Sequence, residues 1–329
     1  MNPETSHLQH QGVQNINIDA NHAGQRLDNF LLAILKGAPK SLIYRIIRRG
    51  EVRVNGQRAK PLRKLIQDDR VRVPPIRLPE PQALPRPSHQ LQDDLRARIL
   101  YEDDGLLIIN KPSHMAVHGG SGVRLGLIEA LRQLQPNYVD LSLVHRLDRE
   151  TSGCVMIAKK RSVLRALHAQ LRDHLVTKQY DCVAHGHWPE GVVQVKAPLL
   201  KRVDGSGEWR VEVSDSPAAQ YAATRFSCTQ NWPKAQVSWL KAWPKTGRTH
   251  QIRVHALAQG CPLVGDDKYA SKDALHQAKK LGVKRMLLHA SRLQFMHPLS
   301  EQRIDVTAPL PEDFNDIIKQ LNEDSSADE

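Results

Sequence analysis

The segment VHRLDRETSG, residues 144 to 153, sets the carboxylate of Asp148 between Arg146 and Arg149 and then enters the apolar run CVMIAKK. So many ionisable groups beside a strand-like stretch point to chemistry. An ionised carboxylate can act as a nucleophile or as a general base. Taken singly, Asp148 reads equally well as an ion-pair partner of Arg146 or Arg149. Two more segments are dense in polar groups and glycine: NKPSHMAVHGGSG (110 to 122) and KTGRTHQIRVH (245 to 255).

The elements that must hold these segments can be read from periodicity. CVMIA predicts a strand over about 153–158, and TKQYDCVAHG another over 179–185, with further strands near 219–227, 235–242 and 287–294. Helices are expected near 125–134, 161–174 and 248–259, the last beginning near Arg248. Strands cluster and alternate irregularly with helices, which predicts an α+β fold with a mixed, largely antiparallel sheet rather than a doubly wound one.

Ahead of this body lies a smaller one. In QRLDNFLLAIL, Leu27, Phe30, Leu31, Ile34 and Leu35 form the stripe of an amphipathic helix, ended by Gly37 and Pro39. Ser41 is the expected N-cap of LIYRIIRR, where Ile43, Ile46 and Ile47 share one face and Arg45, Arg48 and Arg49 another. EVRVNGQRA and DDRVRVP read as strands around an Asn55-Gly56 turn. Arg53, Arg58, Lys60, Arg63 and Lys64 adjoin the arginine stripe, and a surface of that kind suits phosphates, which Arg and Lys neutralise whatever the base sequence. The organisation expected is a disordered tail over 1–13, a small basic domain over 14–73, a stiff proline-rich linker over 74–92, a large domain over 93–321 and an acidic tail over 322–329.

The 329 residues carry a net charge of +12 despite that acidic end, which makes a polyanion the natural partner. No apolar run reaches the roughly 18 residues of a membrane span, and the polar start lacks a signal-peptide pattern, so a cytoplasmic location is expected. Cys154, Cys182, Cys228 and Cys261 have no C-x-x-C spacing and read as reduced thiols rather than zinc ligands; no metal is expected. The spacing G-S-G-V-R-L-G misses the dinucleotide fingerprint. HRLD is close to the kinase HRD, but Leu147 displaces the aspartate and D-F-G is missing.

Taken together, in this order, the three polar segments resemble those of the RluA-family pseudouridine synthases. Residues 24 to 73 resemble an S4 RNA-binding module, and this makes the RluC type, which acts on large-subunit ribosomal RNA, the nearest likeness. The resemblance implies the pseudouridine synthase fold and a monomeric isomerase that turns specific uridines into pseudouridine without a cofactor.

On this likeness Asp148 is the catalytic aspartate, Arg253 the cation that keeps it charged in a desolvated pocket, and Tyr180 the aromatic that stacks on uracil. Arg146 is expected to enter the duplex where the uridine flips out. Leu288, in RMLLHASRL, lines the uracil pocket. Lys111 and the glycines 119, 120 and 122 form a loop near the pocket, where Lys111 meets RNA and the glycines let the backbone come close to sugar or phosphate, and Arg45, Arg48, Arg49 and Arg53 hold phosphates. His145 and His250 orient their surroundings without transferring protons. Asp148 could attack C1′, add to C6 of the ring, or remove the C2′ proton, and residue types alone leave all three open. The rival functions are a synthase acting on transfer RNA and a non-catalytic RNA-binding assembly factor.

Overall fold

The apolar stripe of residues 27–35 buries Leu27, Phe30, Leu31 and Leu35, and the isoleucine face of the next helix buries Ile43, Ile46 and Ile47 in the same core. A computed structural model describes residues 12–20, 22–35, 37–76, 84–120, 123–138, 141–203 and 208–326. The chain divides after Leu84 into two units.

The N-terminal unit runs β1 (Gln14–Asn17), α1 (Leu27–Ile34), α2 (Lys40–Arg48), β2 (Arg53–Val54), β3 (Gln57–Arg58) and β4 (Arg70–Val73), with sheet order β1-β4-β2-β3. One boundary differs from the sequence reading. Pro39, fixed in an extended conformation, is the N-cap of α2, so Ser41 lies inside the first turn and makes no cap bond. The arginine face forms as expected, with Arg45, Arg48 and Arg49 exposed.

The second unit runs α3 (His89–Ala97), β5 (Ile99–Glu102), β6 (Leu106–Lys111), α4 (Leu127–Leu131), β7 (Ser142–Leu143), β8 (Ser152–Ala158) and α5 (Arg161–Arg172). It continues with β9 (Thr177–His185), β10 (Gln194–Lys196), β11 (Leu199–Val203), β12 (Trp209–Val213), β13 (Ala223–Trp232), β14 (Val237–Pro244) and α6 (Gln251–Ala258). The last elements are α7 (Lys272–Lys280), β15 (Leu288–Met296), β16 (Arg303–Thr307) and α8 (Glu312–Ser326). Among the described residues the large sheet has the order β10-β13-β14-β9-β15-β8-β6-β5, with β16 beside β15 and β7 beside β8.

Two elements extend into stretches read as linker and tail. Ser88 accepts the Leu91 N–H and starts α3 inside the stretch read as linker, whose residues 77–83 lie outside those described. α8 carries the chain to Ser326, because Phe314, Ile317, Ile318 and Leu321 give it a buried stripe. Of the tail expected at the start, residues 1–11 also lie outside the description.

Both faces of the sheet are covered, which explains why β6 and β8 are largely apolar and are buried along their whole length. Successive side chains alternate faces. Leu107, Ile109, Val155, Ile157, Tyr180 and Cys182 therefore join one core with Ile252 and Ala256 of α6. Leu106, Ile108, Cys154 and Met156 join another with Val163 and Leu167 of α5. This alternation points Tyr180 towards the helix that carries Arg253.

Every described strand pair is antiparallel except β8 with β15, where Ser152 faces His289 and Gly153 faces Ala290. A Cβ on Gly153 would lie 2.3 Å from the Ala290 carbonyl oxygen, and Gly153 has φ of 110°, so only glycine lets the two strands approach. That contact seats the segment carrying Asp148 beside the strand that begins at Leu288.

Candidate active site

Asp148 stands in the connection between β7 and β8, fixed on both sides. Before it, the His145 ring accepts the Met156 N–H at 3.1 Å, and Leu147 is buried. After it, the Arg149 and Glu150 carbonyls accept bonds from Lys111 Nζ at 3.1 Å and Ser113 Oγ at 2.7 Å. The carboxylate is left partly open, 22% exposed, in a cavity of about 540 Å³. Arg146, Asp148, Tyr180, Arg253 and Leu288 all line this cavity, as the sequence reading expects. Asp148 is the one carboxylate among the lining residues, against Arg146, Arg172, Lys178, Lys245, Arg248 and Arg253.

Arg253 faces Asp148 at 3.7 Å and is held from behind: its Nε and Nη2 donate to the two oxygens of Asp266 at 2.7 and 2.6 Å. Its guanidinium also lies over the Tyr269 ring, 4.9 Å from the centroid. Burial opposes the guanidinium charge, yet Asp266, then Asp148 and Tyr269, outweigh it and raise the pKa. The start of α6 is set by Gln251, whose Oε1 accepts the Thr246 hydroxyl and the Arg248 N–H while its Nε2 donates to Ala223 O and Thr224 Oγ1. The helix therefore begins at Gln251, three residues after Arg248.

Tyr180 is 9% exposed, and burial first, then Asp148 and Cys154, drive its hydroxyl far above the usual phenol range. It stays a neutral aromatic plate. Burial also lowers the Lys178 pKa, and Lys178 gains no carboxylate partner among the described residues. The His145 ring is pushed down to about 3, by desolvation first and by Lys178, so it stays neutral beside Asp148. Arg146 is exposed at the cavity, and its guanidinium makes no hydrogen bond or ion pair with the described residues.

Lys111 corrects the sequence reading. It was expected to face RNA from a loop, but it ends strand β6 with 0% exposure. Its ammonium donates to the Pro112, Met115 and Arg149 carbonyls, which ties the segment after β6 to the one carrying Asp148. Burial lowers its pKa to about 7, against the pull of Glu150 and Asp148. The loop after it also misses the cavity. The Gly119 and Gly126 N–H groups both donate to Glu129 Oε2, closing a turn away from Asp148, while Gly122 lies outside the described residues. Arg53 is exposed, as expected, but its guanidinium also braces the hairpin through Gly50 O and Gly56 O.

Two residues escaped the sequence reading. Asp266 and Tyr269 lie in VGDDKYA, a short polar run that reads as a loop. The available signal is Gly265: its φ is 78° and a Cβ there would lie 2.3 Å from Arg285 O, so this backbone is built closely against a neighbour.

Residues 105–258 match the model of a family described as RNA pseudouridylate synthase, and residues 25–71 match the S4 domain. Over 318 residues the chain is 48% identical to the "Ribosomal large subunit pseudouridine synthase C" of Pasteurella multocida, covering 96% of both chains. The chain belongs to the RNA pseudouridylate synthase family. It is 46% identical to the Escherichia coli K12 protein of the same name, over 94% of this synthase and 97% of that one. Among solved structures, human RNA pseudouridylate synthase domain containing 4 superimposes with a TM-score of 0.58 at 26% identity, over 71% of this chain and 96% of that one. The chain is thus a pseudouridine synthase, an isomerase built on the mixed, mainly antiparallel fold expected from its sequence.

Proposed function

We propose that this synthase isomerises specific uridines of large-subunit ribosomal RNA, with Asp148 acting on the nucleoside. The observation that carries this reading is the lone carboxylate of Asp148 in a cationic cavity, facing an arginine already bound to another acid. Arg253 is saturated on one side by Asp266, so it can attract Asp148 without closing a tight pair that would block it. The carboxylate stays open to the cavity. Relatives carrying the large-subunit name over nearly the whole length, together with the S4 domain, support the choice of substrate.

The reaction breaks the bond between uracil N1 and C1′ and joins C5 to C1′; the C5 proton is lost and N1 gains one. Uracil leaves as a delocalised anion and returns, so the acid that a glycosidase uses to protonate a poor leaving group is not required. An ionised Asp148 serves attack at C1′, addition at C6 and removal of the C2′ proton alike. Tyr180 and Leu288 supply an aromatic plate and an apolar wall for the base while it turns. Arg146, exposed and with no side-chain partner among the described residues, takes the place of the flipped uridine in the duplex. In the S4 domain, Arg45, Arg48, Arg49 and Arg53 follow phosphates.

The test is to map pseudouridine in ribosomal RNA from cells lacking the gene, complemented with wild type or with Asp148→Asn. Large-subunit positions are expected to disappear and to return with wild type alone. Loss confined to transfer RNA, or return with the asparagine variant, would overturn the reading.

A further inference from the structure

His250 faces the same carboxylate as Arg253. Its Nε2 lies 3.9 Å from Asp148 Oδ2, and its Nδ1 lies 2.7 Å from the Tyr269 hydroxyl. A neutral imidazole has one N–H, so the nitrogen that carries it decides whether Asp148 meets a donor or a lone pair. The ring's neighbours determine which nitrogen that is.

The hydrogens can be followed inward from the hairpin β11–β12. The Val211 main-chain N–H lies 3.1 Å from the Tyr269 hydroxyl oxygen. A backbone N–H can only donate, so Tyr269 accepts there. The acceptor left for the tyrosine's own hydrogen, among the described residues, is His250 Nδ1. With Nδ1 accepting, the ring hydrogen sits on Nε2 and points at Asp148.

We infer that Tyr269, oriented by the hairpin backbone at Val211, locks His250 in its Nε2–H form and so makes His250 a positioning residue for the Asp148 carboxylate. The inference rests on the proposed role of Asp148. It assigns a task to a hairpin that no sequence pattern explained, fastened to the same wall by Arg210 on the Lys268 carbonyl and by Lys268 on Glu208 at 3.3 Å.

Two further observations agree. Burial, aided by Arg253 and Lys268 and opposed by Asp148 and Asp266, holds the His250 pKa down to about 4, so the ring has a single N–H near neutral pH. Tyr269 is raised, chiefly by burial, and keeps its hydrogen. His250 also holds φ of 53° at the N-cap of α6, a left-handed conformation that is costly for a residue with a Cβ and is retained where surrounding structure demands it. The gap of 3.9 Å exceeds a hydrogen bond; distances of this kind close when substrate fills a site.

The direct test is nitrogen-15 NMR of the full-length, histidine-labelled protein without RNA, with His250 assigned by its absence from His250→Gln. Wild type is expected to show the proton on Nε2, and Tyr269→Phe, which keeps the ring under Arg253, a mixture of both forms. The single-turnover rate of Tyr269→Phe on a large-subunit RNA fragment should fall about tenfold to a hundredfold, the scale of a lost bond to a charged group, with RNA affinity unchanged. His250→Gln, whose amide N–H reaches the Nε2 position, should keep more of the rate than His250→Asn. A wild-type proton on Nδ1, or a Tyr269→Phe protein unchanged in both tautomer and rate, would overturn the inference. Failure of the Asp148 assignment would appear separately, as turnover by Asp148→Asn.

Discussion

The arginines of the two units are held in opposite ways. On α2, Arg45 and Arg48 reach into solvent with no carboxylate bound to them among the described residues, and Arg49 has only Glu51 at 3.9 Å. In the catalytic unit Arg253 is 5% exposed, clamped by an Asp266 that is fully buried and laid over Tyr269. A free guanidinium can follow any phosphate but commits to no geometry. A clamped one has met its ordering cost during folding and acts on one position, the space around Asp148. One side chain thus serves a diffuse field in one unit and a point in the other.

Asp148→Asn tests the point most sharply. The amide keeps the shape and loses the charge, so single-turnover isomerisation should vanish while RNA binding persists. Turnover by purified variant, free of wild type, would place the chemistry elsewhere.

Arg253→Met should come next. Activity should fall by roughly two to three powers of ten, the scale seen when one preorganised charge-stabilising donor is removed. The variant should also lose about 3–5 kcal/mol of stability, because a fully buried Asp266 is left without its partner. Adding Asp266→Asn should recover much of the urea resistance and none of the activity, which separates the folding role of the pair from its catalytic one.

Replacing Arg45, Arg48 and Arg49 together by Gln should leave folding and the rate on short stem-loops intact. The dependence of log affinity on log salt should flatten by about 0.7–0.9 for each phosphate that is no longer neutralised. An unchanged slope would reduce the arginine face to a solvated surface and dissolve the contrast between the units.

The smallest effect concerns acid. His145 and His250 are held near pKa 3 and 4 in the fold and start from 6.5, so the unfolded chain binds more protons between those values. Their neutral burial costs nothing above about pH 6.5; stability falls as pH drops below that value, and the loss levels off for His250 near 4 and for His145 near 3, where the folded rings take up the proton as well. Urea midpoints measured from pH 7 to 4.5 should decline, and His250→Gln should make that decline shallower.

Much of this arrangement is legible in the sequence. Side-chain periodicity marks α1, α2, α5 and the buried strands, because one face of each element does one job. Asp148, Tyr180, Arg253 and Leu288 stand out through their motifs and do line one cavity. Lys111 is misread because a lysine is ordinarily exposed, and nothing local tells that three carbonyls will surround its ammonium. Asp266 and Tyr269 escape for a related reason: their partners, Arg253 and the Val211 N–H, arrive from other elements through tertiary packing, which leaves no periodic trace. β11 and β12 carry too few buried side chains to show an alternation.

The pairing of β8 with β15 also bears on how the protein is made. Ser152 Oγ and His289 Nδ1, 2.9 Å apart across it, are separated by 137 positions in the chain. The N-terminal core, by contrast, is complete by Ile76. Synthesis from the N-terminus therefore delivers a foldable basic module early, whereas β8 and β9 wait for the strand that fits between them. Until β15 leaves the ribosome, β8 and β9 lack the strand that joins them, and the cavity that Asp148 and Tyr180 share is incomplete.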